Sequence, residues 1–315
     1  MRIHALASLP LPLLLLAAAC SMPQDNPTQV KDLRVLALSL ESPELMAPSC
    51  DTKDPRNAFV YATPLTLRAL VADPKGEGRD ITWELLACAA VADRTCEDEE
   101  NRLVVASGTL KPGELELTQA FGTLTLPQKL DAAGNPVPLL TEVLAKDTYK
   151  GLGGLRMPLV LHVKAGDEEI FAQKLMVFSC RFFPEQQQNV TPVLPGLRLG
   201  GEPWGEGTVR ELSGPGPFEV EPEPYAELEE PYLVPSFDLK PVQLQESWKF
   251  AWYVTGGRMS LEESGGTDVD GTSVRPGVLW EPTSKPPSGE QTFYVVVRDG
   301  RGGSSWYVRR ARYTP

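Results

Sequence analysis

Apolar and polar residues alternate along most of this chain in short runs, and the runs are separated by segments rich in glycine and proline. A period of two puts every second side chain on one face of a strand, so such a chain folds as sheets with one face buried. Leu36, Leu38 and Leu40 share a face, as do Leu65, Leu67, Ala69 and Val71, with Thr66 and Arg68 opposite. Ile81, Trp83 and Leu85 repeat the pattern and run into Cys88; LVVASGTL, LELTQAF and TLTLP read as further short strands. Leu159, Leu161 and Val163 begin a hairpin that turns at Ala165 to Glu168 and ends at Cys180. Phe250, Trp252 and Val254, then Phe293, Val295 and Val297, alternate in the same way, with a turn at Asp299 to Gly303. The 30 prolines and 27 glycines fit many turns between short strands. One short helix is predicted over Pro138 to Tyr149, with Leu140, Val143 and Leu144 on one face and Gly151, Gly153 and Gly154 stopping it. The predicted fold class is all-β, with two β-sandwiches.

The first twenty residues place this fold in a compartment. Arg2 supplies a positive start, Leu9 to Leu16 an apolar run and Ala17 to Ala19 the small residues a signal peptidase requires. The run is too short for a resident spanning helix. It resembles a bacterial lipoprotein signal, and the resemblance implies cleavage after residue 19, lipidation of Cys20 and, with Ser21 next, passage to the outer membrane. Several acyl chains on one residue would anchor the protein durably, since a single chain holds only marginally. Ser21 to Asp32 is polar and aperiodic, and residues 20–32 read as a lipidated terminus and tether with a reach of roughly 40 Å.

Without residues 1–19 the formal charge is −13, which disfavours nucleic acid and anionic headgroups as partners for the body of the protein. Beyond Cys20 stand Cys50, Cys88, Cys96 and Cys180, which in an exported chain predict two disulfides, with three pairings open. No CxxC pair exists, so no metal site is predicted. PEQQQNVTP, residues 184–192, has the polarity of a linker and divides a domain at 33–183 from one at 193–315. Gly214 to Pro235, with six prolines and six glutamates, is expected to be an extended surface loop.

The strand with a central tryptophan, the Trp280-Glu281-Pro282 element and the final TFYVVVRDGRGG hairpin resemble immunoglobulin-like or PKD-like modules of bacterial surface proteins. LRALVADPKG, ITWELLAC and the hairpin ending at Cys180 are similar to the same class, and the layout resembles two-domain lipoproteins of myxobacterial type. Against a usual domain of near 100 residues the first is longer, which implies an insertion around residues 97–155. If the first and last strands run parallel, as in immunoglobulin-like sheets, Cys50 and Cys180 lie at one end and pair, leaving Cys88 with Cys96 across a short loop. The end of the Cys88 strand lies there too.

The inventory for catalysis is short. After residue 19 the only histidine is His162, on a valine-flanked strand, and no nucleophile elbow, HExxH or phosphate loop occurs. The doublets Glu229-Glu230 and Glu262-Glu263 are the carboxylate pairs a glycosidase would need, though as loop charges they read as solvated. Asp268-Val269-Asp270-Gly271 has the alternating oxygens of a calcium loop's middle but lacks its first and last ligands. Tyr253, Tyr294 and Tyr307 fall out of phase with Phe250, Phe293 and Trp306, which are read as inward, and so form a candidate outward patch for a glycan or an envelope protein. The expected function is a non-catalytic envelope lipoprotein, a binding or structural subunit without a cofactor, anchored to the membrane by its lipid. The alternatives are a lipid-anchored carbohydrate-active hydrolase and an envelope assembly subunit.

Overall fold

The computed structural model describes residues 26–315 except 52, 58–59, 61–63, 77, 91, 98–101, 123–127, 150 and 283–288. The signal segment, Cys20 and the run TLTLP at 123–127 lie outside the described residues. The protein is all-β, and among the described residues the strands form four sheets of three to five strands with two small ribbons. Among the described residues no helix is long and apolar enough to cross a membrane.

In the N-terminal half, Arg34–Leu40, Pro64–Ala72 and Glu116–Gly122 make an antiparallel three-stranded sheet. It faces a five-stranded sheet in the order Glu44–Ala47, Glu168–Cys180, Leu155–Ala165, Ile81–Cys88, Arg102–Leu110. Leu40, Leu67, Leu85, Met157, Leu159 and Leu161 are buried between them, as the alternation dictates. The chain changes sheets between Leu40 and Glu44, and Glu44–Ala47 then runs parallel to Val177–Cys180. Strands 102–110 and 116–122 belong to the two sheets. The extra length therefore narrows from the expected 97–155 to the 128–130/136–138 ribbon, the helix Leu139–Lys146 and the residues around them. That helix buries Leu139 and Val143 with Leu140 packed partly against the core, while Leu144 is exposed, so the expected face holds at Leu140 and Val143 and fails at Leu144.

The C-terminal half repeats the device. Leu197–Leu199 lies in one sheet, and Val209–Ser213 crosses to the other, parallel to the last strand Ser304–Thr314. Trp204, Phe250, Trp252, Trp280 and Phe293 fill the space between. The expected surface loop at 214–235 is overturned: Phe218–Pro222 is the central strand of its sheet, paired with Leu197–Leu199 and Val278–Glu281. Val220 and Pro222 point inward while Glu219 faces out to Arg275. Pro222 sits at the last pair of the ladder, so its missing N–H costs no central bond. PYLVP, residues 231–235, pairs with Pro241–Gln245 as a separate two-stranded ribbon.

The two halves are not beads on a string. Leu36, Ala37, Leu70 and Ala72 on the back of the three-stranded sheet pack against Ala251, Tyr294 and Val296 on the back of the 249–254/289–298/304–314 sheet, with Trp306 and Val308 alongside. The four sheets are thus stacked, with a third apolar layer between the halves. Both connecting segments are fixed in place. In the segment read as a linker, Asn189 is buried, its N–H donating to Glu44 (2.9 Å) and its Nδ2 to Asp299 (2.8 Å). In the segment read as a tether, the N–H of Val30 donates to the Val254 carbonyl and that of Val254 to the Thr28 carbonyl, both at 2.9 Å. The reason is an open edge: residues 262–265 cover strand 249–254 only as far as Trp252, and residues 28–30 take up Val254.

Candidate functional site

The expected tyrosine patch is not a surface. Tyr294 is 3% exposed in the layer between the halves, and burial pushes its phenol up to about 12. Tyr253 packs half-buried against the same layer. Tyr307 points the opposite way: it stands across from Val295, whose side chain is in the core, and its hydroxyl accepts the Leu194 N–H at 2.6 Å. Trp306, not Tyr307, is the outward residue of the last strand, and it lies under Arg68 (4.9 Å) with its indole N–H on Glu116 (2.7 Å). A one-residue error of phase on that strand and a whole covering domain both stood between the sequence and this result.

The other sequence-derived positions are scattered. His162 stacks on Phe171 (4.2 Å) and meets Glu169 (2.6 Å) on the outer face of its sheet. Glu263 pairs with Arg298 and Glu262 is exposed. Asp268 and Asp270 close a turn, accepting backbone N–H groups of Val269 and Thr272. Among the described residues no group of three His, Cys, Asp or Glu is arranged to hold a metal. Cys50 is bonded to Cys180 and Cys88 to Cys96.

Glu230 does meet other charged groups, at the turn Asp299 to Gly303. Buried Asp299 accepts the N–H groups of Arg301 (2.7 Å) and Gly303 (2.8 Å), which folds the turn tightly. Position 303 must be glycine, since a Cβ there would stand 2.8 Å from Pro192 Cδ. The turn aims Arg301 at Glu246 (3.0 Å), Glu230 (3.4 Å) and Glu44 (3.9 Å), with its guanidinium 4.2 Å above the Tyr232 ring. Glu246 also accepts the Trp248 indole N–H (3.0 Å) and the Glu230 N–H (3.2 Å). Burial, and then the charge of Glu246, raise the Glu230 pKa; burial raises that of Asp299. A guanidinium in a buried acidic setting is costly to leave unpaired, so this cluster clamps the ribbon to both halves. An isolated two-stranded ribbon is otherwise marginal in water.

Beside the clamp lies a cleft of about 730 Å³. Leu175 and Val177, on the outer face of strand 168–180, form one wall, and Tyr232, Val234 and Leu244 of the ribbon form the other. Arg156 and Lys174 also line it. Lys174 reaches across to the second half, donating to the Gly302 carbonyl (2.5 Å) and Ser304 Oγ (3.1 Å). Burial lowers its pKa to about 8, with Arg298 adding repulsion and Asp299 opposing it.

That shift has a sign. The folded amine sheds its proton near pH 8 and the unfolded one near 10.5, so between those values the unfolded state holds more protons and stability rises with pH. The expected contribution is on the order of 3 kcal/mol. Urea melts of the wild type and Lys174→Met from pH 7.5 to 10.5 check it: the difference between them should grow in favour of the wild type across the window. A constant difference would contradict the assignment.

Arg301, Lys174, Arg156 and Tyr232 were not singled out by the sequence. One signal was present for the ribbon: PYLVP and PVQLQ flank SFDLK as matched five-residue runs. Nothing local marks Arg301, whose partners come from residues 44, 230 and 246.

No protein-family model matches the sequence, and no curated protein does. Among solved structures the chain is similar to a red sea bream transglutaminase at 11% identity and TM-score 0.23, covering 91% of this chain and 32% of that one. It is similar to an Escherichia coli alpha-2-macroglobulin activated by porcine elastase at 10% identity and TM-score 0.24, covering 91% and 22%. For the periplasmic chaperone SfaE the values are 10% identity and TM-score 0.26, covering 88% and 99%. The chain spans well under two thirds of the first two. The transglutaminase and the chaperone are of β-sandwich type. At TM-scores this low the likenesses carry no weight for function.

Proposed function

We propose that this protein is a lipid-anchored, non-catalytic envelope component that holds a ligand in the cleft between its two halves. The observation that carries the binding reading is the cleft itself, whose opposite walls come from different halves of the chain and are held apart by the Arg301 clamp. Its volume falls within the roughly 300–1,000 Å³ of small-molecule sites. Two disulfides suit an oxidising compartment, in keeping with export and lipidation at Cys20, and with the finer resemblance to myxobacterial-type lipoproteins of the outer membrane. Glu230 and Glu246 converge as a hydrolase pair would, but both are spent on Arg301, and Glu246 has a side chain only 2% exposed. That favours holding over hydrolysis.

Hydrogen–deuterium exchange with and without a solubilised envelope extract tests the reading. Protection should map to residues 173–179 and 231–245 and vanish in Leu175→Trp, which fills the cleft. Protection confined to the edge strand 102–110 would instead assign the protein to assembly. Product release from envelope polysaccharide that is lost in Glu230→Gln would make it an enzyme. Fatty-acid labelling that persists in Cys20→Ala would remove the anchor.

A further inference from the structure

The cleft's lining narrows the chemistry of its ligand. Its walls are apolar, with Leu175 and Val177 facing Val234 and Leu244, yet three cations, Arg156, Lys174 and Arg301, line it beside one carboxylate, Glu44, in a chain of net charge −12. Arg156 is exposed and, among the described residues, its side chain makes a single hydrogen bond, to the Gly154 carbonyl at 3.4 Å. Neither it nor Lys174 has a carboxylate within ion-pair distance among the described residues, whereas Arg56, Arg68, Arg79, Arg258, Arg298 and Arg312 each do. Lys174 has three N–H donors, and two are used on Gly302 and Ser304. Arg301, the third cation of the lining, is already surrounded by acids and contributes no free charge.

Two other classes of ligand fit less well. A sugar needs an open aromatic face; that of Tyr232 is covered by Arg301, which leaves only Phe182, itself packed edge-on with Phe183. An extended peptide gains most from a free strand edge, and the edge of Val177–Cys180 is taken by Glu44–Ala47.

Building on the reading of the cleft as a binding site, we propose that it takes a single-chain amphiphile with a carboxylate head, the head paired with Arg156 in the field of Lys174 and the chain lying between Leu175, Val177 and the ribbon. The carboxylate supplies the partner that both cations lack, and a guanidinium offers it two parallel N–H donors. The alkyl chain covers apolar walls that water now wets.

Calorimetric titration of the chain from residue 20 onward, carrying Cys20→Ser, with decanoate, hexanoate, decanol and decyltrimethylammonium tests this. Decanoate should bind, and each methylene removed should weaken binding by up to about fourfold. Decanol should bind at least tenfold more weakly, and the cationic analogue not at all. Arg156→Ala should lose at least tenfold in decanoate affinity with an unchanged melting temperature, and Leu175→Glu should abolish binding. Equal binding of decanoate and decanol would overturn the role of the cations. If decanoate gives no heat at millimolar concentration while extract still protects the cleft, the amphiphile is wrong and the binding reading stands. If an added extended peptide supplies that protection, the site belongs to polypeptide and the proposal falls. Silence in both experiments removes both readings.

Discussion

Replacing Cys50 and Cys180 together by alanine lowers stability by about 5 kcal/mol, whereas replacing Cys88 and Cys96 costs about 2.5 kcal/mol. The difference comes from the chain each bond closes: sequence separations of 130 and 8 residues. Loop-closure entropy grows with the logarithm of that length, so the long bond restricts the unfolded ensemble far more. In the folded state Cys180 ends the longest strand and Cys50 follows the short strand that runs parallel to it, so the bond locks the sheet-switching segment against the last strand. The bond also lies on the cleft. Losing it should therefore raise exchange at residues 44–47 before it affects the C-terminal core. Denaturant melts of the two double variants, compared at constant m, decide the matter. Equal losses, or a larger loss from the Cys88 pair, would show that native-state packing rather than the unfolded chain sets the effect.

What the sequence discloses here follows the range of the forces involved. Period-two runs are local, and Leu65, Leu67, Ala69 and Val71 or Phe293, Val295 and Val297 lie in the cores to which their alternation points. Phe218–Pro222 was hidden because three of its flanking prolines and both glutamates read as loop, although the glutamates face solvent and only Val220 and Pro222 need burial. The tyrosines show a deeper limit. Alternation correctly puts Tyr294 on the far side of its strand from Phe293, but it says nothing of what covers that side. The cover comes from residues 36, 37, 70 and 72, more than two hundred positions away. The Arg301 clamp is invisible for the same reason, since each of its acids is an unremarkable glutamate until the four sheets are stacked. The sandwich halves are legible; their union and the cleft it creates are not.

That union can be broken at one residue. Val296→Asp should destabilise the docking of the two halves by roughly 3–5 kcal/mol, because it leaves an uncompensated carboxylate in an apolar layer. Val296 is fully buried, and its neighbours in the layer are Leu36, Leu70, Ala251 and Tyr294, none of which can donate to a carboxylate except the tyrosine hydroxyl. Arg68 and Glu116, which flank the layer, already pair with each other, and the two cations that line the cavity beside Val296 are engaged elsewhere, Lys174 with Gly302 and Ser304 and Arg298 with Glu263. The two internal cores use other residues: Val295 and Val297, on either side in sequence, point into the C-terminal core and are untouched. The halves should therefore part while each remains folded, joined by residues 184–192 and by what survives of the Val30 contact and of the Arg301 clamp. Scattering should show a larger radius of gyration, and calorimetry should resolve two transitions where the wild type has one. Decanoate binding should disappear with them, since the ribbon wall would no longer stand opposite Leu175. Val296→Thr, nearly the same shape and able to bond its own backbone, should leave the scattering curve as it is. A compact Val296→Asp protein with a single unchanged transition would mean that the layer contributes little and that the linker and Arg301 clamp alone hold the halves together.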